Sequence, residues 1–412
     1  MKIQNKIIIL LLLLIIPAGY SFAGIEIAPI INATAVGGQY VFISTSAVPG
    51  SLGGNINFDV TPAISFSNKL SLVPTVSYNY YGVKDVEELV GGGTLFQRRQ
   101  DIIGNGKLIY AIGDNFKIKG GGSYKQEYLI ETSSETWGNG LFDTTKWSGG
   151  GEVEVKLNAK GDSFRAGYDY YQLSFTNYEA LVAKYSDEFA ELQQTPGDRV
   201  LDYNAGDVTV EGGLQFSDNL IVSYNMIYTM KNFPEQYTVN SLGAYSATDL
   251  RNDTSLIHNI GTLLMLPVKD SKLLVNLRVQ LDSYLSDQNH YDVGKFKYIP
   301  KYYDYSSFSI NPSAILYLGK QERPSTVSIT GGYGTRNYAE RLVQDVDGNY
   351  GTDKIYTNSI SLGISASIPL TENFSFVAQL NFLNKASNMM YETFYKYNYS
   401  TFNYFGGISI NF

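Results

Sequence analysis

From about Asn55 to the last residue, apolar and polar positions alternate in segments broken at intervals by short polar clusters. Ile56, Phe58, Val60, Ile64 and Phe66 lead into Ser67-Asn68-Lys69, and Leu70, Leu72, Val76, Tyr78 and Tyr80 carry the alternation away again. A period of two on either side of a tight polar turn predicts a β-hairpin. The unit returns at Gly113-Asp114-Asn115, Lys160-Gly161-Asp162 and Ser217-Asp218-Asn219, then more loosely at Lys269 to Lys272, Lys320 to Pro324 and Leu370 to Asn373. These short turns recur about every fifty residues, as hairpins joined by longer loops would. The long connections expected between them are Gly82 to Gln97, Glu131 to Lys146, Phe175 to Asn204, Lys231 to Asp253, Ser286 to Asp304, Ala339 to Lys354 and Asn384 to Ser400.

Alternating short and long connections are the organisation of an all-β, antiparallel up-and-down barrel that spans a membrane. Counting strands from Asn55 gives an odd number, so one more is expected ahead of it, at Gly38 to Ser46. The prediction is sixteen strands, with fourteen or eighteen as alternatives. Aromatic positions agree with it. Phe66, Phe116, Phe164, Phe216, Phe374 and Phe412 stand beside the short turns in phase with the apolar face, as a lower girdle would. Tyr78, Tyr80, Tyr124, Tyr128, Trp147, Tyr168, Tyr170, Tyr224, Tyr228, Tyr333 and Tyr404 lie further along the same face, as an upper one.

Composition narrows the class. The 412 residues include 34 Tyr and 40 Gly, and the mean hydropathy is only -0.13. Beyond the first residues no apolar run is long enough for a membrane-spanning helix. Strands that show lipid only every second residue reconcile the aromatic and glycine enrichment with that low hydropathy. At the N-terminus, Lys2 and Lys6 precede the apolar run Ile7 to Ile16, and Ser21-Phe22-Ala23 ends it, the layout of a secretory signal peptide. The expected organisation is therefore a signal peptide over 1–23 and a barrel over 24–412. With no cysteine, the exported chain must hold together by backbone pairing and packing. A net charge of -8 argues against nucleic acid as a partner.

The last ten residues, "NYFGGISINF", set Tyr404, Ile408, Ile410 and Phe412 on one face. This end resembles the C-terminal signal of Gram-negative outer-membrane proteins, and with the signal peptide and hairpins the resemblance spans the chain. It implies residence in the outer membrane of a Gram-negative bacterium, contact with outer-membrane lipid and lipopolysaccharide, and recognition by the barrel-assembly machinery. It implies a porin-like architecture as monomer or homotrimer, and names no specific porin family.

If the apolar residues face lipid, the residues between them face inward. Arg99, Lys107, Lys119, Glu152, Glu154, Lys156, Arg165, Asp169, Glu211, Arg278, Asp282 and Arg336 are the expected lining of a pore. Lys117 and Lys119 on one strand and Glu152 and Glu154 on the next are placed to pair. Charges of both signs imply water or a dense ionic network, and a barrel of this width leaves an aqueous channel. The expected function is passive diffusion of small hydrophilic solutes with mild charge selectivity. The alternatives are a pore or assembly component for exopolysaccharide export, and a structural or adhesive barrel.

No cofactor, resident metal or enzyme activity is expected. The only histidines, His258 and His290, accompany no nucleophile motif. In "DVDGNYGTD", Asp345, Asp347, Asn349 and Asp353 alternate as calcium ligands can, but Tyr350 and Tyr356 stand where an EF-hand needs Gly and Glu, so turn chemistry is the better reading. Met389 to Tyr404 is crowded with tyrosine, read as an interface belt in preference to a saccharide platform. One segment breaks the strand pattern. Over Thr176 to Gly197, Tyr178, Leu181, Val182, Tyr185, Phe189 and Leu192 recur at intervals of three and four, and Thr176 with Glu179 has the form of a capping box. This predicts a helix in an extracellular loop, either a constriction or lid carrying Glu179, Leu181, Tyr185 and Phe189, or a brace between loops.

Overall fold

The computed structural model describes residues 25–44, 50–84, 97–130, 135–158, 160–178, 199–269, 271–319, 322–392 and 395–412. In chain order the strands are β1 (Glu26–Ser44), β2 (Gly50–Ser65), β3 (Leu70–Lys84), β4 (Gln97–Ile112), β5 (Phe116–Ile130), β6 (Thr144–Lys156), β7 (Ser163–Phe175), β8 (Tyr203–Ser217) and β9 (Leu220–Val239). They continue with β10 (Tyr245–Val268), β11 (Ser271–Ser286), β12 (His290–Asp292), β13 (Lys297–Ile299), β14 (Tyr305–Leu318), β15 (Ser325–Gln344), β16 (Tyr350–Pro369), β17 (Phe374–Ser387) and β18 (Tyr399–Asn411). Sixteen of these close into one antiparallel barrel in which β1 pairs with β18. Closure leaves no strand edge unpaired, which is what allows a sheet to stand in hydrocarbon. β12 and β13 pair only with each other, in the connection between β11 and β14.

The strand count agrees with the sequence, and the start of β1 and two of the long connections do not. β1 starts at Glu26, not Gly38, and its first half pairs with β2 from Glu26 opposite Ser65 onward. Ile30-Ile31 and the small residues through Gly38 put similar side chains on both faces, so the period of two is hidden there. The connections expected at Lys231 to Asp253 and Ala339 to Lys354 are mostly strand. β9 and β10 run on to a tight turn at 240–244, and β15 and β16 to one at 345–349. Above the lipid no apolar face is required, so these extensions carry polar residues on both sides, and register shifts at Leu250 and Leu342 blur their alternation.

Outward faces carry the apolar belt. Leu108, Ile112, Ile118, Ile329, Ile360, Ile364 and Ile408 are exposed at strand positions where a soluble protein would bury them. Phe66, Phe164, Phe216, Phe374 and Phe412 stand exposed at the short-turn end, and Trp147, Tyr168, Tyr170, Tyr224, Tyr333 and Tyr404 further up. Tyr124 and Trp147 pack together in that upper girdle, ring centroids 4.3 Å apart. Tyr404, Ile408, Ile410 and Phe412 all belong to the outward face of this end of the chain, and the backbone of Phe412 exchanges hydrogen bonds with Ile31 at 2.9 and 3.0 Å.

Two glycines are needed where the barrel closes. A Cβ on Gly38 would stand 1.9 Å from the Tyr404 carbonyl oxygen, and one on Gly407 would stand 1.9 Å from that of Ala35. The Phe405 ring covers Gly38 from inside, filling the space that a side chain there would take. The glycine runs on β5 and β6 serve close approach too, since Gly121 faces Gly150 and a Cβ on Gly150 would meet the Asp169 carboxylate.

Among the described residues there is no helix. The helix expected within Thr176 to Gly197 falls, from Glu179 onward and including Leu181, Tyr185 and Phe189, outside the described residues. Tyr178, just before it, stacks on Phe142 at 6.0 Å in a cluster with Leu129, Val200 and Leu201. A second cluster over the same end gathers Tyr338, Ile355, Met389 and Tyr397, with Tyr391 and Tyr395 against it. The tyrosines of 389–404 therefore divide. Tyr391, Tyr395 and Tyr397 pack into a loop cluster, and only Tyr404 belongs to the lipid-facing girdle.

Candidate functional site

Register fixes the lumen-facing set. Except on β1, where Ile30 and Ile43 are exposed on opposite parities, the exposed apolar residues of each barrel strand share one parity, and the opposite parity points inward. Arg99, Lys107, Lys119, Glu152, Glu154, Lys156, Arg165, Asp169, Glu211, Arg278, Asp282 and Arg336 all fall on the inward parity of their strands. Cross-strand pairing places Lys117 opposite Glu154 and Lys119 opposite Glu152.

On β4 to β8 these charges join into one ladder. Lys119 Nζ lies 2.5 Å from both Glu152 Oε1 and Glu154 Oε2, and is only 10% exposed. Lys107 reaches Glu152 at 3.4 Å and Lys117 reaches Glu154 at 3.5 Å. Arg165 then bridges Glu154 and Glu211, each at 3.1 Å. Such interlocked pairs satisfy the charges without a dry core, and the outer members remain wet: Lys107 is 47% exposed and Arg165 44%. Higher up, Lys125 contacts Glu127 at 2.6 Å and Asp101 at 3.7 Å, and Arg99 contacts Asp101 at 3.3 Å.

Across β6 to β15, near the extracellular end, cations rest on tyrosine rings. Lys146 Nζ sits 3.7 Å from the centre of Tyr171, Lys231 lies between Tyr203 and Tyr284 at 5.2 and 5.4 Å, and Arg336 lies over Tyr305 at 4.2 Å. Sequence reasoning placed Arg336 inward and missed its neighbours. Inward tyrosines are indistinguishable from girdle tyrosines until the parity of each strand is known.

The histidines hold structural positions. His258 points outward and its Nδ1 shares a 2.8 Å hydrogen bond with the Tyr224 hydroxyl, so it belongs to the upper girdle. His290 on β12 packs against Tyr302 at 4.5 Å, and burial pushes its imidazole pKa down. Burial likewise raises the carboxyls of Asp143 and Asp304 in the loops, although backbone amides of Leu129 and Gly140 donate to the first and that of Ser286 to the second. Asp345 caps its own turn. It accepts from the amides of Asp347 and Asn349, both at 2.9 Å, and the Asn349 amide holds its carboxyl below the usual range. Turn chemistry thus uses the carboxylate that calcium would need, and no metal-binding cluster exists among the described residues.

Cavities open on this inner wall. One of about 500 Å³ is lined by the polar Glu211, Ser223, Asn225, Asn259, Asn276, Arg278 and Gln280 together with the apolar Ile221, Ile227 and Leu263. Another, of about 210 Å³, lies against Lys107, Lys119, Glu152 and Asp169.

No protein-family model matches the sequence, and no curated protein matches it. Among solved structures the chain is similar to a bacterial polysaccharide outer membrane secretin, at 11% identity over 93% of this chain and 98% of that one, with a TM-score of 0.43. It is similar to an anion-selective porin from Comamonas acidovorans, at 12% identity over 94% and 100%, TM-score 0.43. It is also similar to OccAB1 from Acinetobacter baumannii, at 9% identity over 93% and 96%, TM-score 0.45. The closed sixteen-stranded sheet, its outward apolar belt and its aromatic girdles are the features of a membrane-spanning β-barrel.

Proposed function

We propose that the protein is a passive channel for small hydrophilic solutes, lined by the inward charges from Arg99 to Arg336. One observation carries this reading: Lys107, in the interior of β4 at membrane depth, is nearly half exposed on the inward side of a closed barrel. Solvent in contact with charged groups at that depth is a water path, because a barrel filled by side chains would bury them. Interleaved signs along the ladder favour weak selectivity between small ions. Residues 1–23 serve as the export signal in this reading, and Tyr404, Ile408, Ile410 and Phe412 as the assembly signal.

Proteoliposome swelling tests it. Neutral sugars should enter at rates that fall smoothly with molecular size and are indifferent to a protonophore. Vesicles that stay osmotically intact with every sugar would refute the reading.

A further inference from the structure

The inner wall at membrane depth has two chemistries. On β4 to β8 it is the ionic ladder, whereas on β9 to β11 carboxamides and hydroxyls mix with Ile221, Ile227 and Leu263, and the cavity there holds one cation, Arg278. Arg278 on β11 faces Gly261 on β10, Gly261 faces Ser223 on β9, and Ser223 faces Gly213 on β8. The row directly above is made of large polar groups, Gln280, Asn259, Asn225 and Glu211 in the same strand order. Its members are tied in line, with Asn259 Nδ2 donating to Asn225 Oδ1 at 3.2 Å and Asn225 Nδ2 donating to Glu211 Oε1 at 3.1 Å. Small residues under large ones leave a trench, and the cavity of about 500 Å³ occupies it. That volume suits a small polar ligand.

Arg278 stands exposed at one end of this trench, with no carboxylate in salt-bridge reach among the described residues. Glu211, at the far end, is engaged by Arg165 and Asn225. A guanidinium offers five donors in a planar fork that matches a carboxylate two bonds at a time. Carboxamides offer donors and acceptors together, which is what a row of hydroxyls requires.

We propose that the trench is a subsite for an acidic sugar, whose carboxylate pairs with Arg278 and whose hydroxyls lie along Asn276, Gln280, Asn259 and Asn225. This rests on the channel reading above and names the solute class that lingers in the channel.

Glucuronate, glucose and acetate are the probes, added separately to single channels in planar bilayers and, independently, to detergent-solubilised protein in equilibrium dialysis. Glucuronate should reduce the ionic current saturably and bind in dialysis, glucose and acetate much more weakly. Arg278→Gln should weaken the glucuronate effect roughly ten- to hundredfold, the loss expected for hydrogen bonds to a charged group. Arg278→Lys should keep part of the effect. Ser223→Leu should abolish it by filling the trench, whose lining Ser223 shares with Gly261 and Arg278. Heat-modifiable gel mobility checks that each variant folds. Glucuronate binding unchanged in Arg278→Gln, or matched by acetate, would overturn the subsite. Absence of any current would overturn the channel reading instead, and dialysis would still decide the subsite.

Discussion

Replacing Asp253 by alanine is expected to destabilise the extracellular rim by about 3–5 kcal/mol, the range for stripping the partner from a buried charge. Asp253 has a fully buried side chain and receives two bonds from Arg251, from Nη2 at 2.6 Å and Nε at 2.9 Å. Ser286 donates to it at 2.5 Å, and the Tyr284 hydroxyl donates as well. Without the carboxylate, Arg251 keeps only neutral partners, Gln236 at 3.1 Å, the Tyr284 hydroxyl and the faces of Phe233 and Tyr303. The extended ends of β9 and β10 and both ends of the connection between β11 and β14, at Ser286 and Tyr303, meet around this knot, so the variant should be cleaved by protease within 240–304 at temperatures where the parent resists. Asp253→Asn, which keeps shape and some acceptors, should fall between. Identical protease resistance in the parent and Asp253→Ala would show that the knot contributes nothing. The transmembrane wall lies below it, and the barrel should still run folded on an unheated gel.

Replacing Lys119 by glutamine should turn the pore toward cations. Lys119 neutralises two carboxylates at once, and Glu152 and Glu154 would be left to Lys107, Lys117 and Arg165 at longer distances. A unit charge about 8 Å from a permeating ion in water is worth about 0.5 kcal/mol, a factor of about two in local ion concentration. The reversal potential under a salt gradient should therefore move in the cation-selective direction by an amount matching about that factor, and Glu154→Gln should move it the other way. An unchanged reversal potential in Lys119→Gln would mean that the ladder does not face the ion path.

Much of this was legible because a barrel spanning a membrane writes its geometry into the sequence twice. Parity along a strand separates lipid from lumen, so Lys119 and Glu152 could be placed inward on neighbouring strands from spacing alone, and the register sets them opposite one another. The girdle phenylalanines then fixed the depth of the short turns. Legibility failed where the lipid stopped imposing alternation. β1 from Glu26 to Gly37 and the upper parts of β9, β10, β15 and β16 pair by backbone hydrogen bonds while carrying polar or small residues on both faces. The lumen's finer chemistry was hidden for a different reason. That Arg278 sits beside Gly261, Ser223 and Gly213 depends on the register of four strands, and a slip of one pair in any of them would put it elsewhere. Asp253 and Arg251 stand two residues apart in a segment expected to be a loop, where nothing in the spacing distinguishes a buried knot from a solvated turn.

Single-channel recording from the purified, folded protein in planar bilayers tests the central claim most directly. A water-filled lumen of this width predicts discrete upward current steps in potassium chloride, with a conductance that scales with the salt concentration and follows voltage linearly over a moderate range. A bilayer that stays silent at every voltage, with the protein shown to be inserted and folded, would contradict it.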